Sequence, residues 1–323
     1  MDTIDLIRAN LLSPMVLGFM LGVIAAFVKS DLRVPEPLYV GLSMYLLLAI
    51  GLKGGVALSE TTLGIVWLPA VATVCLGLLT TLIAYWASRS LWKLDIANAA
   101  ALAAHYGSVS AVTFMAALTF VRMAGAEAEG YLPGLVALLE IPAIFLALIL
   151  VQRSANKQPI GEAIRETLTG KSILLLAGGL LIGGISGREG MEPVKLVFVD
   201  AFPGLLVLFL VEMGIVAGRR MKEIQRSSAF LVAFAIGVPI VNGAIGVVFG
   251  VLCGLSLGGS TVLGVMAASA SYIAAPAAVR VGIPAANPSF YLTAALGVTF
   301  PFNLTFGIPL FYELARFAKG VFV

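Results

Sequence analysis

Two polar clusters interrupt otherwise apolar runs, and they are where this chain could do chemistry. The first reads Ala103-Ala104-His105-Tyr106-Gly107-Ser108-Val109-Ser110-Ala111-Val112-Thr113, and the second Ala267-Ala268-Ser269-Ala270-Ser271-Tyr272-Ile273-Ala274-Ala275-Pro276. Gly107 and Pro276 favour local unwinding, and the clustered hydroxyls can satisfy backbone groups freed where water is excluded. Each break would expose the N–H groups at the start of a half-helix. Two such positive ends converging at one depth form a site for a small anion without any cationic side chain. The expected anion ligands are Gly107, Ser108, Val109 and Ser110, with Ser269, Ser271, Tyr272, Ala274 and Ala275 facing them. The competing reading is close helix packing, because small and hydroxyl residues also line ordinary helix contacts in membranes. It leaves the matching positions of the two clusters unexplained.

Glu140 is the most informative ionisable residue. It lies near the middle of an apolar run, too deep to snorkel, and precedes Ile141-Pro142, where the missing amide frees a carbonyl. A carboxylate, a carbonyl and nearby hydroxyls are hard oxygen ligands that suit Na+, and Thr113, Thr299 and Asn303 are the expected neutral partners. A protonated Glu140 in a helix contact and a proton relay are the alternatives. Lys53 and Glu212 lie nearer the ends of their runs, which fits snorkelling or pairing, Glu212 with Arg219. His105 is the only histidine, so it has no partners for a transition-metal site and reads as a structural hydrogen-bonding group. Cys75 and Cys253 fall inside apolar runs and read as small buried residues. No nucleophile–base pair, catalytic carboxylate pair or phosphate loop is present, which argues against an enzyme, and no cofactor beyond a coupling Na+ is expected.

The elements that must position these residues are membrane helices. Of 323 residues, 60% are apolar and 11% charged, against the ~25% charged residues of a soluble domain. Apolar runs at 14–28, 37–58, 63–88, 96–121, 132–152, 172–186, 196–217, 228–255, 261–280 and 288–312 predict about ten spans. The first run is followed by Lys29-Ser30-Asp31 rather than a small-residue cleavage site, so it reads as a span and not a leader. Residues 1–152 and 172–323 each hold five runs, joined by a polar linker at 153–171. Gly41, Gly51 and Gly55 recur as Gly204, Gly214 and Gly218 at a constant offset, and Glu140-Ile-Pro142 lies over Thr299-Phe-Pro301. With an odd number of spans per half, the second half enters inverted, an arrangement recurrent in transporters. The loops opposite the termini, which include Arg89, Lys93, Arg153, Lys157, Arg219, Arg220 and Arg226, carry roughly twice as many Lys and Arg residues as those on the terminal side. That bias puts the linker in the cytoplasm and both termini outside. The net charge of +3 comes from these short loops and does not imply nucleic acid.

The run Gly282-Ile283-Pro284-Ala285-Ala286-Asn287-Pro288-Ser289, with the preceding Ser269-Ala-Ser271 segment, resembles the sodium-dependent bicarbonate transporters of cyanobacteria and their bacterial relatives. The likeness extends to Ile50-Gly51-Leu52-Lys53-Gly54-Gly55, to Gly107-Ser-Val-Ser110, to the acid before Ile141-Pro142 and to Gly307-Ile-Pro-Leu-Phe311. It implies an all-α fold of five plus five inverted spans, with a gate unit from spans one, two, six and seven and a core unit from the other six. It also implies a homotrimer in the bacterial inner membrane that takes up bicarbonate or a similarly small anion together with Na+ by alternating access. Tyr272 stands where the family motif carries an Asp, which removes one anionic cation ligand. The family's longer central loop engages a regulator related to the signalling PII proteins, whereas residues 153–171 are few. The competing function is cation/proton antiport on a related inverted-repeat fold, for which one or two carboxylates would be expected where the broken helices cross. Neither polar cluster contains one.

Overall fold

The computed structural model describes residues 3–152, 160–224 and 229–322. Helices α1 (Thr3–Leu11), α2 (Pro14–Phe27), α3 (Glu36–Ser59), α4 (Leu63–Trp86), α5 (Ile96–Gly107), α6 (Ala111–Met123) and α7 (Leu132–Gln152) precede the linker. Helix α8 (Ile160–Thr169) lies within it. Then follow α9 (Lys171–Met191), α10 (Phe202–Ile224), α11 (Ala229–Leu252), α12 (Leu257–Ala268), α13 (Ala275–Gly282) and α14, a single span over Pro288–Val321. The sequence places their starts through side-chain caps: Ser13 accepts from Val16 N, Asp95 from Asn98 N, Ser110 from Thr113 N and Ser256 from Gly259 N.

Among the described residues eight helices are long and apolar enough to cross a bilayer, and nine if the α1–α2 pair, bent by 54°, counts as one span. The remaining expected run, 261–280, is the interrupted α12–α13, whose first part is a 12-residue apolar helix. Two helices were not expected. The first, α1, packs on α14 and places buried Asn10, whose Nδ2 donates to Leu304 O at 3.0 Å. That carbonyl sits in one of two π-helical turns, Thr293–Thr299 and Asn303–Gly307, flanking Pro301. The second, α8, turns part of the expected linker into a helix against α13. Arg153, Lys157 and Arg226, which contribute to the expected orientation, lie outside the described residues. Cys75 is exposed on α4 rather than buried, a departure that follows from α4 turning most of its surface outward; Cys253 is half-buried.

Four helices form two intimate pairs, α2 with α10 and α3 with α9. Each carries Gly-x-x-x-Gly: Gly18/Gly22, Gly214/Gly218, Gly51/Gly55 and Gly179/Gly183. A methyl group on Gly214 would overlap Phe19 O and lie 3.0 Å from the Gly22 Cα, and one on Gly183 would overlap Leu52 O. The backbones therefore touch directly, which is how helices associate where lipid removes the hydrophobic drive. The second group comprises α4, α5 and α7, which pack together, and α11, α12 and α14, which do likewise. The interrupted helices α5–α6 and α12–α13 meet one another within this second group, and the site lies at their crossing.

Candidate functional site

At Gly107 α5 ends because its Cα abuts α4: a side chain there would collide with Thr81. Ser108 to Ser110 run extended, and Ser110 opens α6. Opposite, α12 stops at Ser269, itself extended, and the chain remains irregular until α13 begins at Ala275. Two hydrogen bonds stitch the breaks together: Ser110 N donates to Ser269 Oγ and Ser271 N donates to His105 O, each at 2.8 Å. Ser269 Oγ donates in turn to Met266 O at 2.8 Å. Ser271 Oγ accepts from Ala275 N at 3.2 Å and so caps α13. The crossing therefore gathers two helix starts with partial positive charge and two helix ends with partial negative charge, the ingredients for holding an anion and a cation side by side.

Glu140 reaches this crossing from α7. It is 5% exposed, its carboxyl faces the Ser271 hydroxyl, and it shares a cavity of about 10 Å³ with Ser110, Ser271, Tyr272 and Ser172. No Lys or Arg lies within ion-pair distance of it among the described residues. An unpaired buried carboxylate is costly, so Glu140 requires a bound cation or a proton. Ser110 Oγ accepts from both Thr113 N (3.1 Å) and Thr113 Oγ1 (3.0 Å), which leaves its own proton for the cavity. The Tyr272 hydroxyl faces that of Ser110 without reaching hydrogen-bond geometry. The buried Ser108 and Tyr272 hydroxyls thus have no hydrogen-bond partner among the described residues, an unusual state that a ligand would relieve. Tyr272 packs edge-on against Phe300 with ring centroids 5.4 Å apart.

The expected cation set is not brought together. Thr113 stands beside Ser110, but Thr299 is committed elsewhere: its Oγ1 donates to Ala235 O at 2.6 Å and receives the Tyr106 hydroxyl at 2.7 Å, tying α14 to α11 and α5. Asn303 holds the end of α12, with Nδ2 donating to Ala268 O at 2.8 Å. Its Oδ1 is buried without a partner and remains a candidate cation ligand on that side of the crossing. Of the expected anion ligands, Val109 lines the cavity, Ala274 and Ala275 contribute the backbone start of α13, and Gly107 faces α4.

His105 is buried, and its Nε2 has no hydrogen-bond partner among the described residues. Its Nδ1 donates to Ala101 O at 2.7 Å and its ring lies against Tyr291, 4.4 Å between centroids. Glu212 accepts from Val34 N at 3.3 Å with the Arg219 charge nearby. Two residues that line or brace the site carried no local signal. Ser172 reaches the cavity from α9, and Asn242 on α11 donates from Nδ2 to Tyr106 O at 3.4 Å. Among the described residues no cluster of His, Cys, Asp and Glu could hold a metal ion in the manner of a transition-metal site.

A family model described as the Na+-dependent bicarbonate transporter superfamily matches residues 14–316. No curated protein matches the chain.

Proposed function

Because the chain belongs to the Na+-dependent bicarbonate transporter superfamily, we propose that it is a secondary transporter taking up bicarbonate, or an anion of similar size, together with Na+. The observation that carries this reading is Glu140 in the same cavity as Ser110 and Ser271. A bare carboxylate there would repel an anion strongly, since charges a few ångströms apart in a low-dielectric site interact with at least several kcal/mol. Na+ on Glu140 cancels that repulsion. Binding of the cation and the anion would thereby be coupled, each favouring the other, which supports symport.

The division of the helices supports alternating access. The pairs α2–α10 and α3–α9 form the gate unit, and the helices around the crossing form the core, with the cavity between Leu47 and Leu176 of the gate and Ser110 and Ser271 of the core. A cavity of about 10 Å³ holds about one water, so loading a larger ion needs the two units to separate.

The inverted five-plus-five repeat, counting α1–α2 and α12–α13 as spans to give ten, is supported by the aligned glycines. Gly51 and Gly214 both meet a partner helix backbone, Gly55 and Gly218 do the same one turn later, and Gly41 and Gly204 both face open space. Homotrimeric assembly in the bacterial inner membrane rests on the family resemblance.

The deciding experiment is uptake of labelled bicarbonate into proteoliposomes, with and without an inward Na+ gradient. Accumulation only with the gradient supports symport, and accumulation indifferent to Na+ overturns it. A second reading is favoured by one observation: antiport needs a carboxylate at the crossing, and Glu140 is brought there from α7. Under that reading a proton gradient, and not bicarbonate, would drive Na+ movement in the same vesicles. The termini are expected outside, so a reporter at the C-terminus that is active only in the cytoplasm would overturn the orientation.

A further inference from the structure

A second cavity, of about 270 Å³, opens between α3, α6 and the start of α10 near the end of the molecule that carries the α3–α4 and α6–α7 loops. Its charged lining consists of Lys53, Arg122 and Glu129. Glu129 is already engaged, accepting from Ser256 N at 2.5 Å and Ser256 Oγ at 3.2 Å at the start of α12. Lys53 lies over the Phe202 ring, 4.0 Å from its centroid, with Arg122 and Asp200 as the charges that act on it. Neighbouring cations on the same rim are neutralised: Arg188 pairs with Glu60 at 3.0 Å and Lys195 with Glu192 at 3.5 Å. Lys53 and Arg122 have no carboxylate within ion-pair distance among the described residues.

This cavity is connected to the crossing by shared lining residues. It shares Ile50 and Met115 with a narrow apolar cavity of about 10 Å³, which in turn shares Leu47, Ala111 and Ile273 with the cavity of Glu140 and Ser271. A line of contacts thus runs along the gate–core interface from Lys53 and Arg122, past an apolar constriction, to the hydroxyls of the transport cavity.

We propose that Lys53 and Arg122 form a staging subsite for a small monovalent oxyanion, in a vestibule separated from the transport site by the Ile50–Met115 constriction. The proposal rests on the anion-transport reading above. A half-buried ammonium and an exposed guanidinium concentrate anions without the tight grip of a closed site. The apolar constriction then resists passage until the gate and core units part. Lys53 is thereby given a role beyond snorkelling.

The test uses Lys53→Cys in the full chain with Cys75 and Cys253 changed to alanine, and Arg122→Gln separately. Initial bicarbonate uptake is measured at saturating Na+ and at several ionic strengths set with an organic salt. Losing one of two attracting charges is expected to raise KM about 3- to 10-fold, with maximal rate within about 2-fold, and to flatten the ionic-strength dependence of the low-substrate rate. Modification of the introduced thiol with an ethylammonium methanethiosulfonate should restore the low KM, and the sulfonate analogue should raise it further. Equal effects of the two reagents, or a fall in maximal rate with KM unchanged, would overturn the staging subsite. Absence of bicarbonate uptake by the parent protein would overturn the substrate reading and this proposal with it, whereas normal uptake insensitive to both substitutions refutes the subsite alone.

Discussion

Glu140→Gln should raise the Na+ concentration for half-maximal uptake by about 100-fold or more, because removing one partner of a buried charge pair costs ~3–5 kcal/mol. The substitution keeps shape and hydrogen-bonding capacity, so the protein should still fold. The neutral amide also no longer repels an anion, so substrate affinity measured in the absence of Na+ should rise rather than fall. The control is Lys53→Met, which should leave the Na+ response unchanged and affect the substrate response only, by the smaller factor expected of a rim charge. If Glu140→Gln kept wild-type Na+ activation in well-folded protein, Glu140 would be a protonated helix-contact residue and the cation would have to bind elsewhere, with Asn303 Oδ1 the next candidate. If it instead abolished sensitivity to a proton gradient, the antiport reading would replace symport.

The second large effect is expected at the paired serines. Ser110→Ala and Ser271→Ala each remove a hydroxyl from the shared cavity, and a hydrogen bond to a charged group is worth ~1.5–3 kcal/mol, so apparent substrate affinity should fall roughly 10- to 100-fold. Both hydroxyls also cap half-helices, Ser110 at Thr113 N and Ser271 at Ala275 N. Loss of a cap costs ~1 kcal/mol of local stability. Tyr272→Phe separates the two contributions, since the Tyr272 hydroxyl caps nothing and has no partner among the described residues. A loss of affinity shared by all three variants marks a ligand site. A loss confined to Ser110→Ala and Ser271→Ala, accompanied by a lower melting temperature, would mean that these serines hold the crossing and do not touch substrate.

The positions of the helices and of their breaks were legible in the sequence because both depend on local physics. A run of apolar residues long enough to span lipid has few alternatives to a helix. Gly107 beside Ser108 and Ser110, and Ser269 and Ser271 before Pro276, carry their own caps and breakers, and the chain unwinds where they stand. The two Gly-x-x-x-Gly pairs were partly legible through the repeated Gly51 and Gly214, although which helix each one met was not. Glu140 stood out because a carboxylate at that depth needs compensation, but the residues around it were not legible. Thr299 was chosen as its partner by analogy along the sequence. In the fold, Thr299 turns to Ala235 O and Tyr106 instead.

An analogy along the sequence says nothing of which way a side chain faces, and α14 carries two π-helical turns, Thr293–Thr299 and Asn303–Gly307, that depart from regular helical spacing. Ser172 escaped notice for a related reason: it reaches the cavity only because α9 packs backbone to backbone on α3. The sequence by itself determined a multi-pass helical membrane protein, two broken helices, their hydroxyl clusters and one carboxylate at depth, since each follows from solvation and backbone chemistry within a few residues. Only the tertiary structure decided that Glu140 shares a cavity with Ser110 and Ser271, that Thr299 does not, and that Lys53 and Arg122 face a common vestibule. Those are distances between helices far apart in the chain, set by how the helices pack on one another and not by the residues next to each site.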